Sequence, residues 1–219
     1  MQSLDVFLSR LLPLLPGCPD PTAKQALLDA SIEFCEETHA AQVVTDPVSL
    51  YPDQQNYTLG IPAQTEVARL VKAWSGTRIL TQVEPVLNDS SLLHTNPIGT
   101  TYAATGAPRI LTLTLEGDVT LYPTPDISAA AAEMFTARVA VKPTRDATQV
   151  PDVLYTSWAE AIVAGAAFRL ASMPAQAFSD DGLAAASHTR FRYFINRARI
   201  EANRGRLVGP AAVRNRPFA

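Results

Sequence analysis

The chain has 219 residues, of which 47% are apolar and 18% charged, with a formal net charge of −3. That length fits one large domain or two small ones, and the composition is too apolar for a disordered chain. Two cysteines, Cys18 and Cys35, exclude a disulfide framework.

The charge is unevenly placed. From Gly182 to the C-terminus there are eight arginines and one acid, Glu201, a segment of +7 that leaves −10 on the remainder. Only Lys24, Lys72 and Lys142 are lysines. Arginine suits fixed, bidentate contacts to carboxylates or phosphates. The N-terminus has neither a basic stretch nor a long apolar core, and no run of 18 apolar residues occurs. No leader or membrane span is therefore expected, and a soluble protein made in the cytoplasm is.

In chain order, Leu4, Phe7, Leu8, Leu11 and Leu12 recur at helical spacing and predict a short helix stopped by the prolines from Pro13 to Pro21. Asp20-Pro21 then supplies a cap and a first-turn proline for a second helix to about Ala40. Its inner stripe is Ala23, Leu27, Ala30 and Phe34, with Cys35 as a small buried hydrophobe.

Near Ala41 the pattern shortens to alternating runs. Strands are predicted at Val43–Thr45, Tyr57–Leu59, Glu66–Ala73, Arg78–Leu80 and Met134–Val141, with a proline-rich loop before the last. The clearest signal is a hairpin over 109–122, turning at Glu116-Gly117-Asp118. Many short strands suggest a small sandwich or barrel. From Asp152 helical spacing returns through Trp158, Ile162, Gly165 and Phe168 as one helix ended by Pro174. Another helix runs from about Asp180 to Arg204, with Phe191, Ile195, Ala198 and Ala202 inside and Asp180-Asp181 as its cap. The stretch 206–219 has no periodicity and reads as an extended tail.

The expected class is α+β: a helical bundle from both chain ends (1–40 and 151–205), an inserted β-sandwich or barrel-like domain (41–150), and an extended C-terminal tail (206–219).

No nucleophile elbow, phosphate loop or HExxH zinc motif is present. Glu33, Glu36, Glu37 and His39 cluster on the second helix; a metal-dependent hydrolase is conceivable there, but a solvated helix face is the simpler reading. Asp89-Ser90-Ser91 with His94 reads as a polar loop before it reads as hydrolytic machinery. No catalytic residue, metal or cofactor is assigned.

The arginines of the last helix form two stripes at seven-residue spacing: Arg190, Arg197 and Arg204, and Arg192 with Arg199. Three readings stand, in this order: ion pairs with a partner subunit, a solvated face, and phosphate contacts to nucleic acid.

Four local segments, taken in order, resemble the head-to-tail adaptor (connector) proteins of tailed bacteriophages. They are Ala26–Thr38, a helix running straight into a strand; Tyr57-Thr58-Leu59-Gly60-Ile61-Pro62 followed by Val67–Val71; Leu121-Tyr122-Pro123-Thr124-Pro125; and the helix from Leu154 through Ala166. The likeness spans roughly 16–204. It implies a structural, non-enzymatic virion protein of the neck, assembled in the host cytoplasm. It further implies a dodecameric ring between the portal and a tail or nozzle protein, close to the DNA channel without reading its sequence, and with no membrane partner. The resemblance puts portal docking on the C-terminal segment, through Arg204, Arg206, Arg214, Arg216 and Phe218. Arg190 and Arg197 are expected at the subunit interface. Another neck or tail-completion protein, such as a tail terminator, is the alternative within the virion.

Overall fold

The computed structural model describes residues 1–83, 105–114 and 117–204; for Asn203 and Arg204 the description is of the backbone alone. Elements run β1 (Gln2–Ser3), α1 (Asp5–Leu11), a 3-10 turn (Leu12–Leu14), α2 (Asp20–Thr38), β2 (Gln42–Val44), β3 (Val48–Ser49), β4 (Asn56–Thr58), β5 (Thr65–Ser75), β6 (Arg78–Ile79) and β7 (Thr81–Gln82). Then come β8 (Ile110–Leu113), β9 (Asp118–Tyr122), α3 (Ile127–Ala132), β10 (Met134–Pro143), β11 (Gln149–Val150), α4 (Asp152–Thr156), α5 (Ala159–Ala171) and α6 (Asp181–Arg204). The protein is thus mixed α and β.

The chain divides into two compact units: Met1–Ala40 with Arg145–Ala219, and Ala41–Thr144. The boundary expected near 150 falls at 144, because Gln149 and Val150 pair antiparallel with Ser3 and Gln2 in the first unit.

In the first unit, α2 packs on α5 and α6, and α1 on α2 and α5. The α2 stripe expected from sequence is buried: Ala23, Leu27, Ala30, Phe34 and Cys35 are at most marginally exposed. Phe34 meets Trp158 and Phe191 at centroid distances of 5.5 and 6.3 Å. Gly165 lies where α2, α5 and α6 converge. Helix α2 ends on His39 in the left-handed conformation (φ 53°), whose N–H donates to the Cys35 carbonyl. Helix α6 starts as expected, with Asp180 Oδ1 accepting from the Leu183 N–H at 3.0 Å.

The expected Asp20 cap is absent: Pro19 holds the cap position of α2, Asp20 is its first residue, and no side chain caps it. The segment 152–171 is two helices, not one: Trp158 leaves the helical region (φ −128°, ψ 17°) and lays its ring near Phe34. Aromatic contact in the core outweighs helix continuity at that residue.

Among the described residues the second unit holds two sheets. One has the order β2-β10-β5-β6, with β3 also on β10; the other has the order β4-β9-β8-β7. All pairings are antiparallel except β7 with β8. The predicted hairpin is β8–β9, with Gly117 at φ 92° in its turn; Glu116 of that turn lies outside the described residues. Along β5, the register with β10 skips Ala68 and Val71. These two bulges break strict alternation and let Leu70 and Ala73 both face inward. Tyr57 of one sheet meets Phe135 of the other at 6.3 Å, both buried. The proline-rich loop expected before β10 contains the short helix α3, started by Asp126, whose carboxylate accepts from the Ala129 N–H at 2.7 Å.

Candidate functional site

Helix α6 is the candidate surface, and its two arginine stripes behave differently. Phe191, Ile195 and Ala198 are buried, which turns the intervening arginines to the flanks and outward.

The stripe of Arg192 and Arg199 closes on the end of α2. Arg199 Nε donates to the main-chain carbonyl of Glu37 at 2.8 Å, and its terminal amino group holds the Glu37 carboxylate. Arg192 approaches the other carboxylate oxygen at 4.0 Å. The last carbonyls of a helix have no partner within it, so Arg199 satisfies one of them while its charge complements the negative helix end. Beside this, Arg169 of α5 pairs with Glu33 and donates to the Gly165 carbonyl at 3.3 Å.

The stripe of Arg190 and Arg197 is more exposed. Arg190 donates to Glu160 of α5 at 2.7 Å and stands over the Phe194 ring. Arg197 donates through Nε to Glu201 at 3.0 Å and lies 5.8 Å from the Trp158 ring centroid. Both arginine side chains remain more than half exposed. Tyr193 and Ile200 add exposed apolar surface to the same helix. Between α1, α5 and α6 a groove of about 380 Å³ has an apolar floor including Val163, Ala164 and Ala167, with Arg10 and Arg190 among its lining residues.

These pairings revise the sequence reading in two ways. Glu33 and Glu37 do not simply face solvent; they are the carboxylates that hold α5 and α6 arginines. And each of the four α6 arginines whose side chain is described already has a carboxylate within its own chain, an arrangement absent from the three readings weighed above. Seven-residue arginine spacing marked the faces correctly, but spacing on one helix carries no information about which acid elsewhere in the chain answers it. In hindsight the i, i+4 pair Glu33 and Glu37 was the complementary signal.

Glu36 is exposed, and His39 is the residue after α2. Among the described residues no set of three His, Cys, Asp or Glu side chains gathers as a metal site. Arg204 is the last residue of α6. Arg206, Arg214, Arg216 and Phe218 lie outside the described residues, as do Asp89, Ser90, Ser91 and His94. Among the described residues, no helix is long and apolar enough to cross a membrane.

The geometry is that of a protein whose charged groups lock helices and decorate a surface. Comparison with curated proteins finds no match. Comparison with family models matches the SU10 adaptor protein over residues 4–214, a span that takes in both units. On that match the chain belongs to the SU10 adaptor protein family, the structural adaptors of phage.

Proposed function

We propose that the chain is the subunit of a head-to-tail adaptor ring in the virion neck. The ring joins the portal to a tail or nozzle protein and continues the DNA channel between them. Twelve copies, matching the symmetry expected beneath a portal, form it. The observation that carries this reading is the family match over 4–214, which leaves neither unit outside it. The two-unit build supports it: a helical unit made from both chain ends and an inserted β unit give one subunit two separate surfaces for two neighbours. Contact with DNA follows from position in the channel and is blind to sequence.

In this reading the segment from Arg204 to Ala219 docks on the portal, with Arg206, Arg214, Arg216 and Phe218 as its contacts. Arg190 and Arg197 serve the contact between copies.

Electron microscopy of purified necks, or of the full chain mixed with portal, tests the proposal. A twelve-fold ring at the portal is the expected result; a six-fold ring at the tail end would favour a terminator instead. A chain that never joins portal complexes sinks the reading. Deleting 206–219 is expected to leave the fold intact and weaken portal co-assembly, and undiminished co-assembly refutes the docking role.

A further inference from the structure

The outward faces of α2 and α6 carry the same spacing with opposite charge. On α2, Asp29, Ile32 and Glu36 stand at i, i+3 and i+7; the first two are half-buried and Glu36 is exposed. On α6, Arg190, Tyr193 and Arg197 repeat that spacing, and all three are exposed, Tyr193 at 61%. Positions three and seven apart share one helix face. Seven residues rise about 10.5 Å, so the two acids on one helix are spaced as the two arginines are on the other.

We propose that the α2 face of one copy docks on the α6 face of a second copy. Asp29 and Glu36 meet Arg190 and Arg197, and Ile32 packs against Tyr193. The inference rests on the adaptor reading and names the contact by which its copies join.

A solvated helix explains either face alone, since a single exposed tyrosine is ordinary. It does not explain the matched acid–apolar–acid and cation–aromatic–cation patterns. The partner of the α2 face must also be the opposite one, since two α2 faces would set acid against acid. On the α6 face Arg197 is flanked by Glu201, and its remaining donors point to a further carboxylate. The intrachain bonds leave the arginines able to reach outward: the recorded bond to Glu160 uses one terminal amino group of Arg190, and that to Glu201 uses Nε of Arg197. A guanidinium has five N–H donors. Parallel helices would match all three residues directly; antiparallel helices would offset Ile32 from Tyr193 by about 1.5 Å. Because the two faces belong to one unit and differ, the contact is heterologous. Such a contact, repeated from copy to copy, is the kind from which rings are built when the rotation between copies closes.

The test uses the full chain with Ile32→Cys or Tyr193→Cys, each made singly. Cys18 and Cys35 are buried and do not compete. Under mild oxidation the mixture of the two variants is expected to give a 32–193 linked dimer, and either variant alone none. A 193–193 product, or no product while sedimentation shows association, overturns the proposal. So does a chain that stays monomeric up to about 1 mM, a concentration at which even a millimolar contact would be populated. Independently, Asp29→Lys with Glu36→Lys is expected to weaken self-association at least about ten-fold with the circular dichroism unchanged; unaltered association overturns it as well. Failure of these tests with the chain still present in portal necks leaves the adaptor reading standing and removes only this contact. A cross-link in a chain absent from necks does the reverse.

Discussion

A Cβ on Gly165 would lie 2.8 Å from Cε2 of Phe191. The same atom would be 3.0 Å from Cβ of Ala30. Helices α2, α5 and α6 therefore close on one another at the single α5 position with no side chain. Phe191 and Ala30 are both fully enclosed, so neither neighbour has room to retreat.

Gly165→Ala is accordingly expected to destabilise. Alanine gains about 1 kcal/mol in helix propensity, but overpacking a filled core costs about 1–3 kcal/mol. The net expectation is a loss of roughly 1 kcal/mol, read as a lower thermal midpoint. Gly165→Ala with Phe191→Leu should recover part of that loss, whereas simple additivity of the two changes would refute the steric account.

The pairing of Arg199 with Glu37 makes a second prediction. Arg199 binds both the carbonyl and the carboxylate of one residue, a fork that lysine cannot reproduce. Its side chain is 42% exposed, so the interaction is discounted for solvent screening. Arg199→Ala is expected to cost about 1 kcal/mol, and Arg199→Lys to recover less than half of it. Urea unfolding measures both, and full rescue by lysine would show that charge alone matters.

How legible all this was in the sequence depends on how local each feature is. The second helix declared itself through its apolar stripe and the Asp20-Pro21 start, although Pro19 and not Asp20 holds the cap position and no side chain caps it. Helix α6 declared itself through Asp180, whose carboxylate does cap it, because such signals are written in adjacent residues. The hairpin of β8 and β9 was visible for the same reason. The parallel pairing of β7 with β8 and the pairing of Gln2–Ser3 with Gln149–Val150 were not, since each joins distant segments. Nor was the break at Trp158, which follows from the place of Phe34 on another helix and not from any glycine or proline nearby. Helix α3 had a local signal, Asp126 before a run of alanines, outweighed in the reading by the surrounding prolines. The arginine faces were legible, while their intrachain acids were not.

Tyr57 offers a test at alkaline pH. Its hydroxyl accepts from the Tyr51 N–H at 3.1 Å and lies 3.1 Å from the Gln54 carbonyl, pinning the turn before β4. Tyr57→Phe is expected to cost about 1 kcal/mol. Burial, foremost, pushes the Tyr57 hydroxyl above its ordinary value near 10. The folded state thus holds this proton more tightly than the unfolded one. Its contribution is complete below the unfolded value and declines as pH rises through the folded value. The variant should show a shallower alkaline decline in stability, with the remaining slope carried in part by Tyr122, which burial raises in the same direction. An unchanged slope would place the titration elsewhere.

Two of the described carboxylates, Asp126 and Asp5, are held low in the folded state, for different reasons. Asp126 is held below the ordinary carboxylate value chiefly by the Ala129 N–H, and then by the Ser128 hydroxyl. Asp5 is held low first by its hydrogen bond from Lys24, at 2.5 Å, and then by Ser3. A depressed folded value means a contribution present above the unfolded value, near 3.9, and lost as pH falls through the folded one. Stability is therefore expected to fall with acidification below about pH 4. Asp126→Asn keeps a side-chain acceptor at the start of α3 and removes its titration. It should leave neutral-pH stability close to that of the parent and flatten the acid slope. Salt separates the two sites, because it screens the exposed Lys24–Asp5 charge pair but leaves a carboxylate bound to a backbone N–H largely intact. An acid slope in Asp126→Asn that high salt does not reduce would contradict the share assigned to Asp5.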